Sequence, residues 1–241
     1  MPSYPDKLHL GCGLTTPAGW LNVDGSWNAR LAKHPFARSI LARLGVISKA
    51  QSQVSFDAGI FWHDLAKPLP WGDATFSAVY SSHTLEHLHL DTTRALLREC
   101  LRVLKPGGVC RMVVPDLRTI ALEYAGMYVF PQPDCYTYIT SEVRASRPKA
   151  DVFNMKLLAH SERAHRGSLP YRLYASLKDF HSHKWMYDAD SLAHYMREAG
   201  FVEVAPREVH DSRVAGIEAV ERRERVVDGM GVAVEGVKSG A

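Results

Sequence analysis

The chain has 241 residues, 46% of them hydrophobic and 23% charged, which is typical of a folded globular protein and excludes wholesale disorder. Lys and Arg number 29 against 26 Asp and Glu, so a net charge of +3 is too small to indicate nucleic-acid binding. The sequence shows no signal-peptide pattern and no apolar run of about 18 residues. None of the four cysteines forms a C-x-x-C pair, so we expect reduced thiols and a cytoplasmic location.

The first half of the chain alternates short apolar strands with turns and one clear helix. Strands are predicted at 7–10, 20–24, 56–63, 76–81 and 109–114. Segment 28–53 has helical spacing interrupted by proline and glycine, so broken helix and loop are expected there. The clear helix has Asp91 as its predicted N-cap and ends before Lys105-Pro106-Gly107-Gly108, because proline cannot continue the hydrogen-bond ladder.

The second half begins with a different pattern. Residues 117–182 mix helical stretches with tyrosines, prolines and charges, which predicts a helical insertion after the fifth strand that could act as a substrate lid. A final unit follows, with a helix capped by Asp190 and ended by Gly200. Its remaining predicted elements are a strand at 201–204, a charged surface helix or turn at 217–226, and a strand at 232–237. Alternating strands and helices predict one α/β domain over 1–241, with helices on both faces of a parallel sheet.

Ligands of such sheets bind beyond the carboxyl ends of the strands, which makes the loops there the candidate binding segments. Gly11-Cys12-Gly13 follows the first strand, and its glycines allow a ligand to approach the backbone closely. Asp24 ends the second strand, where a carboxylate can accept hydrogen bonds from both hydroxyls of a ribose. In His63-Asp64-Leu65, after the third strand, the carboxylate can accept from the exocyclic amine of an adenine.

The fourth strand runs into a histidine-rich segment, residues 81–89 (S-S-H-T-L-E-H-L-H). His83, Glu86 and His87 have the i, i+3, i+4 spacing of one helical face and match the H-x-x-E-H pattern of some zinc peptidases. No convincing third protein ligand is visible in the sequence, so no metal site is predicted. His83, next to the strand end, is the better candidate for an active-site residue, and His183 is the second.

Six strings taken together resemble class I S-adenosylmethionine-dependent methyltransferases, over roughly 7–116 and 183–238. The strings are L-H-L-G-C-G (8–13), V-D (23–24), H-D-L (63–65), F-S-A-V-Y-S-S-H-T-L-E-H-L (76–88), L-R-V-L-K-P-G-G (101–108) and L-x-x-Y-M-R-E-A-G-F (192–201). H-T-L-E-H-L and L-K-P-G-G are typical of the methyltransferase type 11 group. The first string and H-K-W-M-Y-D (183–188) are similar to a bacterial subgroup that often accompanies polysaccharide-assembly enzymes.

The resemblance implies a Rossmann-like sheet of seven strands, mostly parallel with the last antiparallel, and S-adenosylmethionine as the cofactor. The residues implied to contact the cofactor are Gly11, Cys12, Gly13, Asp24, His63, Asp64, Leu65, Ser82 and His83. Within this set Asp24 would hold the ribose, Asp64 and Leu65 the adenine, and Ser82 and His83 would lie near the methyl group.

The expected activity is methyl transfer to a small molecule, or to a hydroxyl or amine of a sugar or glycan. A hydroxyl acceptor needs a base, and His83 and His183 are the candidates. A non-catalytic module that binds the cofactor is the main alternative. A nucleic-acid methyltransferase would carry D/N-P-P-Y or a Pro-Cys nucleophile, which the sequence lacks, and a metal hydrolase would need a further ligand. A nicotinamide dehydrogenase is disfavoured by Thr16 and by the short spacing from Gly13 to Asp24. No oligomeric state is predicted.

Overall fold

The computed structural model describes residues 4–34, 36, 39–40, 43, 56–131, 139, 141–157, 182–228 and 230–240. Within them, seven strands form one sheet in the order β3-β2-β1-β4-β5-β7-β6. The strands are β1 (Lys7–Leu10), β2 (Trp20–Asp24), β3 (Phe61–Trp62), β4 (Phe76–Ser82), β5 (Leu104–Val114), β6 (Val202–Arg207) and β7 (Val232–Val237). Strands β1 to β5 pair in parallel, whereas β7 runs antiparallel to both β5 and β6. The predicted sheet, including its antiparallel last strand, is confirmed.

The described helices are α1 (Trp27–Ala32), α2 (Leu90–Val103), α3 (Leu117–Ala125), α4 (Ser141–Ser146), α5 (Lys149–Leu157) and α6 (Ala189–Ala199). Both predicted N-caps are wrong. Helix α2 begins one residue before Asp91, with His89 as its N-cap. Helix α6 begins before Asp190, because Asp188 accepts from the Ser191 amide and the Ser191 hydroxyl accepts from the Asp188 amide, which forms a capping box.

Apolar side chains cover both faces of the sheet, as alternation along the strands requires. In β4, Val79 belongs to a core cluster that includes buried residues of α2 and α6, whereas Tyr80 belongs to a second cluster. The second cluster contains Ile217 and Val220, and Glu221 is also buried. The prediction of a charged surface helix or turn at 217–226 is confirmed in part, because the segment forms two short 3₁₀ turns, Ile217–Ala219 and Arg223–Arg225, and its charged residues other than Glu221 are exposed. Its apolar residues were not predicted to close the second face of the sheet.

Four strands differ from their predicted bounds, since β4 extends one residue further, to Ser82, and β6 spans Val202–Arg207 instead of 201–204. The third is only Phe61–Trp62, because Asp57 accepts from the Gly59 amide at 2.7 Å and turns the preceding segment. The fifth begins at Leu104, because the backbone of Gly107 and Gly108 exchanges hydrogen bonds with Lys238.

Helices α3, α4 and α5 lie within the predicted insertion 117–182, of which residues 132–138, 140 and 158–181 lie outside the described residues. Most of segment 28–53 also lies outside them. Cys12, Cys100 and Cys110 are buried free thiols, and Cys135 is not among the described residues. In the described part of the chain, every helix is too short or too polar to cross a bilayer.

Candidate active site

Pairing of the parallel strands brings four predicted segments to one edge of the sheet. Leu10 of β1 pairs with Val23 of β2 on one side and with Ser81 of β4 on the other. The residues that follow these three are Gly11, Asp24 and Ser82, so they lie at the same level, at the carboxyl ends of the three strands. Asp24 in turn pairs with Trp62 of β3, which places His63-Asp64-Leu65 next along the edge.

The turn after β1 depends on its two glycines, each for a different reason. Gly11 has a φ of +65°, and a Cβ built on it would lie 2.1 Å from the Thr84 Oγ1 atom. Gly13 has a φ of +54°, and no atom lies within 4 Å of its Cβ position. Gly11 therefore lets the turn pack against the segment after β4, whereas Gly13 borders open space that a ligand can fill.

Asp24 ties the end of β2 to this turn. Its Oδ2 accepts from the Gly13 amide at 2.9 Å, and its Oδ1 accepts from the Ser26 amide at 2.7 Å. The side chain is buried, and burial without these donors would be costly. A carboxylate has about four acceptor positions, so two remain after the backbone bonds are made.

The β3 end lies directly beside the β2 end. The His63 amide donates to the Asp24 carbonyl at 3.3 Å, and a Cβ on Gly25 would lie 2.7 Å from the His63 carbonyl oxygen. Asp64 is half-buried and accepts from the Ala66 amide at 3.0 Å, while Leu65 is buried in the core. The Nε2 atom of His63 is buried and has no hydrogen-bond partner among the described residues.

The β4 end carries two of the predicted residues, Ser82 and His83. The Ser82 hydroxyl is buried and, in the described part of the chain, has no hydrogen-bond partner. His83 has a φ of +51°, and its Nε2 lies 3.0 Å from the Arg225 carbonyl oxygen. Burial lowers the pKa of His83 to about 4, although the hydrogen bond to Arg225 opposes this shift.

Glu86 is a site residue to which the sequence analysis gave no role. It lies in a 3₁₀ turn, Leu85–His87, with a side chain that is only 1% exposed. Its Oε1 lies 3.7 Å from His83 Nδ1 and 3.9 Å from His87 Nε2. Burial raises the pKa of Glu86 to about 8, and neither carboxylate oxygen has a hydrogen-bond partner among the described residues.

His183 joins this group from the far side of the insertion. The Lys184 amide donates to the Glu86 carbonyl at 2.6 Å, and the rings of His87 and His183 are 5.0 Å apart. Burial lowers the pKa of His183 to about 4. The sequence showed no convincing third metal ligand, whereas in the structure one ligand atom each of Glu86, His87 and His183 lies within 4.8 Å of the other two. The signal was present as H-S-H-K-W at 181–185, but spacing along the chain could not show that it returns to the β4 end.

A separate cavity of about 240 Å³ lies among the helices that follow β5. Its lining residues are Glu123, Tyr124, Arg147, Lys149, Val152 and Phe153. None of the strand-end residues described above lines it.

Comparison with known sequences adds a family match to this geometry. Residues 8–112, less than half of the chain, match the family described as "Methyltransferase domain". Methyltransferase GfsG of Streptomyces halstedii is 30% identical over 46% of this chain and 37% of its own length. A demethylmenaquinone methyltransferase of Corynebacterium glutamicum is 34% identical over 35% of this chain and 41% of its length. UbiE, a ubiquinone/menaquinone biosynthesis C-methyltransferase of Desulfotalea psychrophila, is 30% identical over 61% of this chain and 48% of its own length. The chain thus spans less than half the length of these relatives.

Solved structures show lower similarity. A methyltransferase of Thermotoga maritima, described as a possible histamine N-methyltransferase, is 17% identical over 99% of this chain and 84% of its own, with a TM-score of 0.41. A SAM-dependent methyltransferase of Archaeoglobus fulgidus is 14% identical over 96% of this chain and 85% of its own, with a TM-score of 0.44. No conclusion about the activity of this chain follows from similarities this low.

Proposed function

We propose that this chain is an S-adenosylmethionine-dependent methyltransferase. The observation that carries the proposal is the alignment of the Gly11–Gly13 turn, Asp24 and Asp64 along one edge of the sheet. In open α/β sheets this edge is where nucleotide-like ligands bind. The family match over residues 8–112 supports the same assignment, since that segment contains all three features.

The residues at this edge fit the chemical groups of the cofactor. Open space beside Gly13 leaves room for a ligand against the backbone, and the buried Ser82 hydroxyl offers an unused polar group. Asp24 keeps acceptor capacity for ribose hydroxyls after its two backbone bonds. Burial raises the pKa of Cys12 to about 12, so this side chain stays a neutral thiol that packs beside the turn.

Each residue then has a positioning role. Asp24 would accept hydrogen bonds from the ribose, Asp64 would accept from the adenine amine, and Leu65 and His63 would flank the ring. Ser82 and His83 would lie toward the reacting end of the cofactor, which when bound supplies a methyl group bonded to a sulfonium, with a neutral thioether as the leaving group. Alignment of the acceptor with that methyl group, with water excluded, accounts for on the order of 7–11 kcal/mol of barrier reduction in well-oriented reactions.

The acceptor we propose is a small molecule, or a hydroxyl or amine of a sugar or glycan. His83 and His183 are the candidates to take the proton of a hydroxyl acceptor, since both lie near the β4 end and both are neutral at pH 7. The insertion 117–182 is proposed as the substrate lid. Similarity of the first string and of residues 183–188 to the polysaccharide-associated subgroup supports a glycan acceptor, and the small net charge argues against nucleic acid. Free cysteines at positions 12, 100 and 110 support the proposed cytoplasmic location.

Calorimetric titration with S-adenosylhomocysteine tests the cofactor assignment. We expect micromolar binding to the native chain and a loss of about tenfold to a hundredfold in Asp24→Ala, because a hydrogen bond to a charged group contributes about 1.5–3 kcal/mol. Ser26→Ala is the matched control, because it removes the N-cap bond to the Ala29 amide while leaving the carboxylate in place. Thermal unfolding of each variant reports whether the loop has been disturbed.

Two outcomes would contradict the proposal: no binding by the native chain, or equal binding by the native chain and Asp24→Ala. Transfer of a labelled methyl group to nucleotide sugars, lipid-linked glycans or small alcohols then tests catalysis. Binding of the cofactor without transfer to any of these acceptors would favour the alternative, a non-catalytic module that binds S-adenosylmethionine.

A further inference from the structure

We infer that Glu86, His87 and His183 form a binding site for one divalent transition-metal ion. One ligand atom from each of these residues lies within 4.8 Å of the other two. Zinc binds histidine nitrogen and carboxylate oxygen at about 2.0–2.2 Å. Atoms that share such an ion are therefore separated by roughly 3–4 Å, and small side-chain rotations bring the three ligand atoms to that spacing.

The state of Glu86 is the observation that points to a cation. Its carboxyl group is 1% exposed, faces two imidazole rings, and receives no hydrogen bond from the described residues. A buried carboxylate is normally paired, hydrogen-bonded or bound to a metal, because water has been removed from it. The Nδ1 atom of His183 is buried in the same cluster and likewise has no hydrogen-bond partner among the described residues.

Backbone carbonyls set the orientation of two of the histidines. The Nδ1 atom of His87 lies 3.3 Å from the Ser182 carbonyl, so donation there leaves the lone pair on Nε2, the atom nearest Glu86. His83 is arranged in the same manner, with Nε2 against the Arg225 carbonyl and Nδ1 toward Glu86. Metal-binding histidines commonly donate their second nitrogen to a carbonyl or carboxylate in this way. His83 is thus placed to orient Glu86 while remaining outside the set of three ligands.

Hydrogen bonds of the backbone, with one between two side chains, hold the scaffold of the cluster together. The Lys184 and Trp185 amides both donate to the Glu86 carbonyl, at 2.6 and 3.3 Å. Tyr187 pairs with Asp116 at the end of β5 and donates its buried hydroxyl to Thr93 of α2. These bonds fix His183 against the turn that carries Glu86 and His87, so the ligand set is organised before an ion binds.

A shared proton satisfies this cluster less completely than an ion does. A protonated Glu86 has one O–H and can serve only one of the imidazole nitrogens that face it. A divalent ion contacts all three ligands at once, and a combination of imidazole and carboxylate suits zinc and its neighbours rather than magnesium or calcium. Three protein ligands leave one position open, as in catalytic zinc sites.

The proposed metal site lies close to the edge of the sheet where we propose that the cofactor binds. A role of the ion in methyl transfer rests on the proposed function, whereas metal binding itself does not. Thr84 follows His83 and packs against Gly11, so the ion would lie beside the segment that borders the cofactor turn. Its open position would then take an oxygen or nitrogen atom of the acceptor. His183 would serve as a metal ligand, which leaves His83 as the remaining candidate base.

Metal binding by the purified full chain tests the site. After treatment with a chelator, the native chain is dialysed against zinc and its metal content measured, with Glu86→Gln and His183→Gln alongside. His194→Gln is the matched control, because His194 is an exposed histidine of α6 outside the cluster. We expect one zinc ion per chain in the native protein and the control, with affinity at least about a hundredfold weaker in the two cluster variants.

Cobalt substitution keeps the test decisive if a variant fails to fold. Visible absorption of cobalt in the native chain should show an intense four-coordinate spectrum that zinc abolishes. No stoichiometric zinc in the native chain, or zinc binding that both cluster variants retain, would overturn the proposal in favour of a protonated Glu86. S-adenosylhomocysteine titration of the metal-free protein is read separately, so failure of the metal site and failure of the methyltransferase assignment are distinguishable.

Discussion

Replacement of Gly11 by alanine tests how closely the β1 turn must approach the segment after β4. Two costs are expected. A non-glycine residue at a left-handed φ loses roughly 1–2 kcal/mol, and Gly11 has a φ of +65°. The new Cβ would also overlap Thr84, whose Oγ1 and Cγ2 atoms lie 2.1 and 2.7 Å from its position. Overpacking of this kind typically costs about 1–3 kcal/mol.

Gly13→Ala is the matched control, because this residue shares the left-handed φ but has no atom within 4 Å of its Cβ position. Its free energy of unfolding should fall by about 1–2 kcal/mol, and that of Gly11→Ala by about 2–5 kcal/mol. Urea denaturation with a common m-value measures both. In addition, Gly13→Ala should weaken binding of S-adenosylhomocysteine, because the methyl group of the alanine would enter the space proposed for the ligand.

A double-mutant cycle isolates the steric part. Thr84→Ala removes the two nearest atoms and leaves the Thr84 Cβ position 2.9 Å away, so Gly11→Ala should cost less in that background. If Gly11→Ala destabilises the chain no more than Gly13→Ala, and Thr84→Ala does not change its cost, the close contact between the turn and the β4 segment is refuted.

Two further predictions concern stability away from the candidate site. Burial lowers the pKa of His9 to about 4 from 6.5, so the unfolded chain takes up a proton before the folded chain does as the pH falls. His9 should contribute a drop of about 3 kcal/mol to the free energy of unfolding between pH 6.5 and 4, so His9→Gln should lose less over that window by about this amount; parallel curves for the two proteins would contradict this. Arg111 and Glu221 form a fully buried ion pair at 2.7 Å, so Glu221→Ala should cost about 3–5 kcal/mol in urea denaturation. Glu224→Ala is the control, because the ion pair of Glu224 with Arg222 is exposed, and its free energy of unfolding should fall by no more than about 1 kcal/mol. Equal losses in Glu221→Ala and Glu224→Ala would contradict the role of burial.

Local sequence signals predicted the parts of the fold that depend on neighbouring residues. Bounds of β1, β2 and β7 follow directly from short apolar runs between turns, and Gly200 ends α6 with a φ of +106°. The predicted N-cap was wrong at the start of α6, where two aspartates are candidates to accept from the first free amides of the helix. Asp188, rather than Asp190, caps α6, because only Asp188 also receives a reciprocal partner in Ser191.

Long-range packing accounts for the remaining errors. Segment 217–226 looks like a charged surface because its acidic and basic residues are frequent, yet Glu221 is buried where Arg111 projects from the middle of β5. No pattern within either segment predicts that pair. The same holds for His183, which returns to Glu86 only because the segment after the insertion hydrogen-bonds to the β4 turn. The order of the predicted strands placed the proposed cofactor-binding loops on one edge of the sheet, whereas the structure was needed to show side-chain clusters formed by distant segments.

Hydrogen–deuterium exchange with and without S-adenosylhomocysteine tests the central claim most directly, because it reports where the ligand binds. We predict slower exchange in segments 11–16, 24–26, 63–66 and 82–84, which leave the sheet at its carboxyl edge. Amides of β6 and β7 away from that edge should be unchanged. Protection confined to other segments, or saturating ligand with no protection at the four loops, would contradict the assignment of this edge as the cofactor site.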